Sequence, residues 1–237
     1  MDLGLNEKVA VVFAASRGLG RATALALLAE GVRVLVVARP SPALDELAAL
    51  DPQRCRVLGA DVLDTDVPQQ AVNNALAHFG RLDIAIVNAP GPKPTLPMDV
   101  TDADFDTAFN TTFYPVVRQV KAASAAMERH GWGRILIISS TSVKAPKPFL
   151  CLSAAARSAS WAWAKSAAPE LFEKGITINT LLAGPHNTER AAALGIKDKV
   201  LGEPGDFGAF AASLCGESTR FITGTGFTLD GGELTGI

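Results

Sequence analysis

The sequence predicts an α/β domain: a doubly wound parallel sheet of about seven strands, with helices on both faces. Three observations predict it. Short apolar runs alternate with helical patterns along the whole chain. The strand runs, such as "RVLVVA" and "GRILIIS", are continuous in hydrophobicity, as strands covered on both faces are. No Gly/Ser tract, charge block or repeat interrupts 237 residues that are 48% hydrophobic, so residues 1–237 read as one domain.

The elements follow in order. "VAVVFAA" is the first strand. "GRATALALLAEG" is a helix that Gly31 stops. "RVLVVA" is the second strand and "ALDELAAL" the next helix. "RCRVLGA" is the third strand, with a helix near 65–79 behind it. "LDIAIVNA" is the fourth strand. "TDADFDTAF" begins a long helix, with Thr101 as N-cap and acids in its first turn. "GRILIIS" is the fifth strand, and 152–173 is helical. Pro169 lies inside that pattern, where a proline costs about 3 kcal/mol, so the helix either kinks there or starts a new turn. "GITINTLL" is the sixth strand, "EPGDFGAFAASLC" holds another helix, and "GTGFTLDGG" contains the seventh strand.

Composition excludes several function classes. With 22 basic and 24 acidic residues the net charge is −2, which gives no footprint for nucleic acid or an anionic membrane surface. No apolar run approaches a membrane span. The N-terminal segment carries Glu7 and Lys8 and is not expected to be a signal peptide. Cys55, Cys151 and Cys215 are scattered, as are His78, His130 and His186, so no metal is expected. The cysteines read as reduced core residues of a cytoplasmic protein.

Doubly wound sheets bind ligands outside the carboxyl ends of their strands, so the residues just after each strand are the informative ones. After strand one, "FAASRGLGRA" places Gly18 and Gly20 in a turn leading into a helix whose free N–H groups favour a phosphate. Ser16, Arg17 and Leu19 belong to the same turn. Strand two ends in "VVARPSP", with Arg39 at its tip and no acid there. An acid at that place holds a free ribose 2′-hydroxyl, whereas arginines suit a 2′-phosphate. Arg17 and Arg39 therefore favour NADP(H) over NAD(H).

With "ASRGLG", "ADV", "NA", "RILIISS", "AGPHNT" and "FITGTGFTLDGG" in this order, the chain resembles the short-chain dehydrogenase/reductase family from about residue 5 onward. The resemblance implies a Rossmann-like fold, Asp61 and Val62 beside an adenine, Asn88 near a ribose, and Thr188 near a nicotinamide carboxamide. Departures are present. Phe13 and Ala14 stand where the family usually has Thr-Gly. A methyl at Ala14 is tolerable if its φ stays negative. Val87 and Pro90 replace an asparagine and a glycine.

The resemblance also implies a catalytic set of serine, tyrosine, lysine and asparagine. Ser140 matches the serine. The tyrosine position falls on Ser153, the lysine position on Arg157, and the asparagine position on Thr112. A serine alcohol is far less acidic than a phenol, whose pKa is about 10. Arg157, with its ordinary pKa above 12, keeps a charge but is no base. The chain has one tyrosine, Tyr114, and its place two residues from Thr112 points it elsewhere. His186 reads as an exposed loop histidine, Lys144 and Lys147 follow strand five within reach of the pocket, and Cys151 reads as a small buried residue, a nucleophile only if its pKa is lowered. The loop between "NTER" and "GEPGDF" is short for a lid.

Three functions fit. One is an NADP(H)-linked oxidoreductase with a rebuilt site of Ser140, Ser153 and Arg157. Another is non-redox chemistry on the same scaffold, such as elimination, isomerisation or retro-aldol cleavage. The third is non-catalytic: a nucleotide-binding sensor, or the inactive partner of an active homologous subunit. The first is the primary expectation. Its substrate would be a small and apolar molecule, facing Pro92, Pro94, Phe149, Leu150 and Leu194. The family's habit of subunit pairing implies a homo-oligomer, a dimer or tetramer.

Overall fold

A computed structural model describes residues 2–196 and 201–235. Its sheet has seven parallel strands in the order β3-β2-β1-β4-β5-β6-β7. They are β1 (Val9–Phe13), β2 (Arg33–Ala38), β3 (Cys55–Gly59), β4 (Ile84–Val87), β5 (Gly133–Ser140), β6 (Ile176–Ala183) and β7 (Gly226–Leu229). The helices are α1 (Gly18–Ala29), α2 (Pro42–Leu50), α3 (Val67–Phe79), α4 (Asp102–Ala108), α5 (Tyr114–Met127), α6 (Cys151–Glu173), α7 (Glu189–Ala193) and α8 (Pro204–Leu214).

The two-residue period of a strand sorts β1 between two cores. Val9, Val11 and Phe13 face a layer containing α3, α5 and α6. Ala10 and Val12 face α1, α2 and α8. Because both faces must be apolar, the central strands have no polar alternation, which is the pattern the sequence displays. The edge strands depart from the expectation of full cover. In β3 alternate residues reach solvent, Val57 among them, and β7 is only partly buried. An edge strand has a neighbour on one side only, so the flanking helices overhang it less completely.

The chain runs outward from β1 to β3 on one side and then crosses back to place β4 beside β1, so strand order reverses between β1 and β4 and opens a crevice at their carboxyl ends. Two local features shape it. Thr101 caps α4 through a reciprocal box with Asp104, as its sequence predicts. The expected long helix after Thr101 is instead divided by a π turn at Phe109–Phe113. That wider turn accommodates an extra residue, a device frequent at functional sites, and it leaves no mark on hydrophobic periodicity. Helix α6 runs through Pro169 as one helix to Glu173. Among the described residues, no helix is long and apolar enough to cross a membrane.

Candidate active site

The carboxyl ends of the strands enclose a cleft of about 1020 Å³. Every site residue the sequence singled out lines it: Ser16, Arg17, Gly18, Leu19, Gly20, Arg39, Asp61, Val62, Asn88, Ser140, Ser153, Arg157 and Thr188. Of the apolar wall expected, Pro92, Leu150 and Leu194 line the cleft, whereas Pro94 and Phe149 do not. No three His, Cys, Asp or Glu residues among those described converge as a metal site.

One end is a phosphate-type cradle. Helix α1 begins at Gly18 with no side-chain cap and no acid in its first turn, so its leading N–H groups stay open to an anion. Gly18 has φ +59°, and a Cβ on Gly20 would lie 2.9 Å from the Ala14 carbonyl oxygen. Only glycine permits that close approach. Ala14 itself sits at φ +52°, contrary to the negative φ that its methyl would prefer. The turn geometry is retained and the alanine bears the strain. Arg17 and Arg39 are exposed at the mouth, and Arg17 Nη1 reaches Glu189 Oε2 of α7 at 2.8 Å. Asn88 is fixed from beneath by Gln119, which accepts from the Asn88 N–H at 3.1 Å and donates to its carbonyl at 3.2 Å. Gln119 is fully buried on the inner face of α5. Its signal in the sequence was an amide at an apolar position of that helix.

The other end holds the polar cluster. Ser153 and Arg157 lie one turn apart on α6, where that spacing stacks them on one face. Arg157 Nε–H donates to Ser153 Oγ at 3.3 Å, Nη1 to the Ile138 carbonyl at 3.0 Å, and Nη2 to the Ala89 carbonyl at 3.4 Å. The arginine thus ties α6 to the tips of β4 and β5. Burial first, and the charge of Arg190 second, pull its pKa down to about 10, below the ordinary value the sequence led us to expect. Ser140 Oγ accepts from the Ser142 N–H at 3.2 Å. Ser139 and Ser142 also line the cleft; their hydroxyls are buried and have no hydrogen-bond partner among the described residues.

Other residues fall differently from their sequence reading. Thr112 is buried under the cleft and donates to the Pro90 carbonyl at 3.0 Å; the cleft is lined by Thr111 instead. His186 is not exposed. It is 7% accessible, its Nδ1 lies 3.0 Å from the Gly184 carbonyl, and its ring meets Phe207 edge-on. The β6 exit loop folds back on α8 and buries it. Tyr114 is exposed beside Phe113, outside the cleft, as expected. Lys144 bonds Thr228 Oγ1, Lys147 pairs with Glu233, and the half-buried Cys151 bonds the Thr95 carbonyl. Cys55 and Cys215 are core residues. The lid segment begins with the short α7, and its residues 197–200 lie outside the described residues.

A parallel sheet with a glycine turn and an uncapped helix at its switch point defines a dinucleotide-binding type of α/β protein. The comparisons place it more closely. Residues 8–199 match the family model for short chain dehydrogenase, and the chain belongs to that family. It is 29% identical over 240 residues to a 3-oxoacyl-[acyl-carrier-protein] reductase of Synechocystis sp., covering 96% of this chain and 97% of the relative. It is 28% identical over 248 residues to a (2S)-[(R)-hydroxy(phenyl)methyl]succinyl-CoA dehydrogenase subunit, BbsC, of Thauera aromatica, covering 98% and 97%. The crystal structure of YwfH, an NADPH dependent reductase involved in bacilysin biosynthesis, superimposes with a TM-score of 0.90 at 25% identity, covering 97% of this chain and 99% of that one.

Proposed function

We propose that this protein is an NADP(H)-dependent oxidoreductase of the short chain dehydrogenase family in which a serine–guanidinium pair replaces the usual phenol. The observation that carries this reading is the hydrogen bond from Arg157 Nε–H to Ser153 Oγ inside the same cleft as the glycine turn. Ser16, the α1 N-terminus, Arg17 and Arg39 would hold the phosphates, and Asp61, Val62, Asn88 and Thr188 the rest of the dinucleotide. NADPH-dependent chemistry in the neighbour YwfH supports the choice of cofactor. Bound there, the nicotinamide supplies or accepts a hydride.

The chain's own residues do the rest. Ser153 Oγ accepts from the guanidinium, so its own proton is free to be donated to a substrate oxygen. As negative charge develops on that oxygen, the Ser153 and Ser140 hydroxyls and the Arg157 cation stabilise it. One such donor is worth about 3 kcal/mol where water is excluded, and less in this open cleft. A water molecule in the open cleft gives up the proton that completes the alcohol, and the hydroxide so formed leaves to solvent. This division of labour suits a carbonyl that is already electrophilic, since no strong acid stands ready.

NADPH fluorescence titration, followed by turnover over a carbonyl panel, tests the reading. We expect saturable NADPH binding, weaker NADH binding, and turnover that falls in Ser153→Ala. No binding at about millimolar cofactor, a very weak affinity, refutes it. A second reading, a non-catalytic subunit paired with an active homologue, is favoured by the relative BbsC being one subunit of a dehydrogenase. It predicts NADPH binding without turnover, even in Ser153→Tyr. Under the primary reading the chain forms a homo-oligomer, which light scattering measures.

A further inference from the structure

The cleft contains a charge that the proposed hydride chemistry does not require. Arg190, on α7, reaches across to the loop after β4, where its Nη2 donates to the Pro92 carbonyl at 3.0 Å. Arg157 reaches the same loop from α6. A Cβ placed on Gly91 would lie 3.3 Å from Arg190 Nη2 and 3.7 Å from Arg157 Nη2. Two guanidiniums therefore converge on one point of the cleft wall.

Neither has a counter-ion among the described residues. Of the acids lining the cleft, Asp104 pairs with Lys93 at 3.2 Å and Glu189 with Arg17 at 2.8 Å. Asp61 accepts from the Leu63 N–H. None of the ion pairs among the described residues includes Arg157 or Arg190. Arg157 is half-buried and Arg190 exposed, so two like charges meet at the cleft wall where an anion entering from solvent can join them. Burial is the main cause of the lowered Arg157 pKa, and the nearby Arg190 charge lowers it further. Donors also remain available. A guanidinium has five N–H groups, and the hydrogen bonds above engage only part of each set, all with backbone carbonyls or Ser153.

We propose that Arg157 and Arg190 grip a carboxylate of the substrate at Gly91, so that the substrate class is an oxo acid whose charged group lies beside the reacting carbonyl. The adjacency comes from Arg157 itself. Its Nε–H bonds the Ser153 hydroxyl assigned to the carbonyl oxygen, while its Nη2 faces Gly91. One planar guanidinium thus spans both sites, which requires the carbonyl and the anion to lie close together in the substrate. A phosphate at the far end of a long carrier does not meet that restriction. The apolar wall of Leu150 and Leu194 would take the remaining chain. As a substrate assignment this rests on the function proposed above; as an anion site it stands by itself.

The test is calorimetry on the full chain, with and without NADPH, using 2-oxohexanoate, its methyl ester and inorganic phosphate. We expect the acid to bind at least about tenfold more tightly than the ester, with an affinity that falls as salt is added. Arg157→Gln severs ties among α6, β4 and β5 and risks misfolding. Arg190→Gln, on the short α7, is the informative variant: it should abolish the preference for acid over ester and leave NADPH fluorescence titration unchanged. Equal binding of acid and ester, phosphate binding as tightly as the oxo acid, a preference that survives Arg190→Gln, or no heat from 2-oxohexanoate would each overturn the proposal. NADPH failing to bind while the acid is still preferred would sink the cofactor reading alone.

Discussion

Replacing Ala14 with glycine should make this protein more stable, against the usual trend of core-adjacent truncations. Ala14 occupies φ +52° at the end of β1, where an L-residue with a Cβ pays about 1–2 kcal/mol. Glycine removes that strain but gives the unfolded chain more freedom, which offsets roughly 0.4–1 kcal/mol. Taking the middle of each range, the net gain is about 0.8 kcal/mol. A chain of this size shifts by about 2–4 °C per kcal/mol, so Ala14→Gly should raise Tm by roughly 1–4 °C. Thermal unfolding followed by circular dichroism measures it. The same methyl lines the cleft, so NADPH titration should show tighter binding in the variant. An unchanged or lower Tm would mean that the turn is relaxed with alanine in place, and that the strain argument is wrong.

Further outcomes rest on the same geometry. Gly20→Ala would set a Cβ 2.9 Å from the Ala14 oxygen and 3.1 Å from the Ala15 Cα, both backbone, so it should cost about 2 kcal/mol in urea unfolding and abolish NADPH binding. Asp83, fully buried, accepts from the Val9 N–H at 2.9 Å and from Arg81 Nε at 2.8 Å; Asp83→Ala should cost about 3 kcal/mol, read by the urea midpoint. Burial pushes the thiols of Cys55 and Cys215 from 9.0 up to about 11 and about 12. Above pH 9 the unfolded chain releases protons that the folded one holds. Stability should therefore be intact below pH 9 and fall above it, by at most about 1.4 kcal/mol per thiol per pH unit. Urea titrations at pH 8 and pH 10 of wild type and Cys215→Ala check the sign, the variant losing less.

The sheet was readable because its physics is local and redundant. Five residues of β1 divide between two cores, and each of the central strands repeats that demand for apolar side chains on both sides. The glycine turn and the Ser153–Arg157 spacing were legible for a similar reason, since backbone approach and helical stacking are fixed by short stretches of chain. What stayed hidden depends on where separate elements meet. Arg190 belongs to a quoted motif, yet its convergence with Arg157 at Gly91 joins α7, α6 and the β4 loop, far apart in sequence. His186 looked exposed because nothing beside it announces that Phe207 and Gly202 close over its ring. The π turn at Phe109–Phe113 preserves the apolar pattern on both sides, so periodicity passes over it. Whether the Ala14 φ stays negative could not be read from its identity, because the turn imposes its conformation on the residue.

The bond between Arg17 and Glu189 has a consequence for how the cleft fills. It joins two solvent-facing side chains, one on each lip, and a guanidinium so engaged is withheld from an incoming phosphate. Added electrolyte loosens this clasp and weakens phosphate attraction at once. The two effects oppose each other, so dinucleotide affinity should depend on ionic strength less steeply than the number of cations around the opening implies.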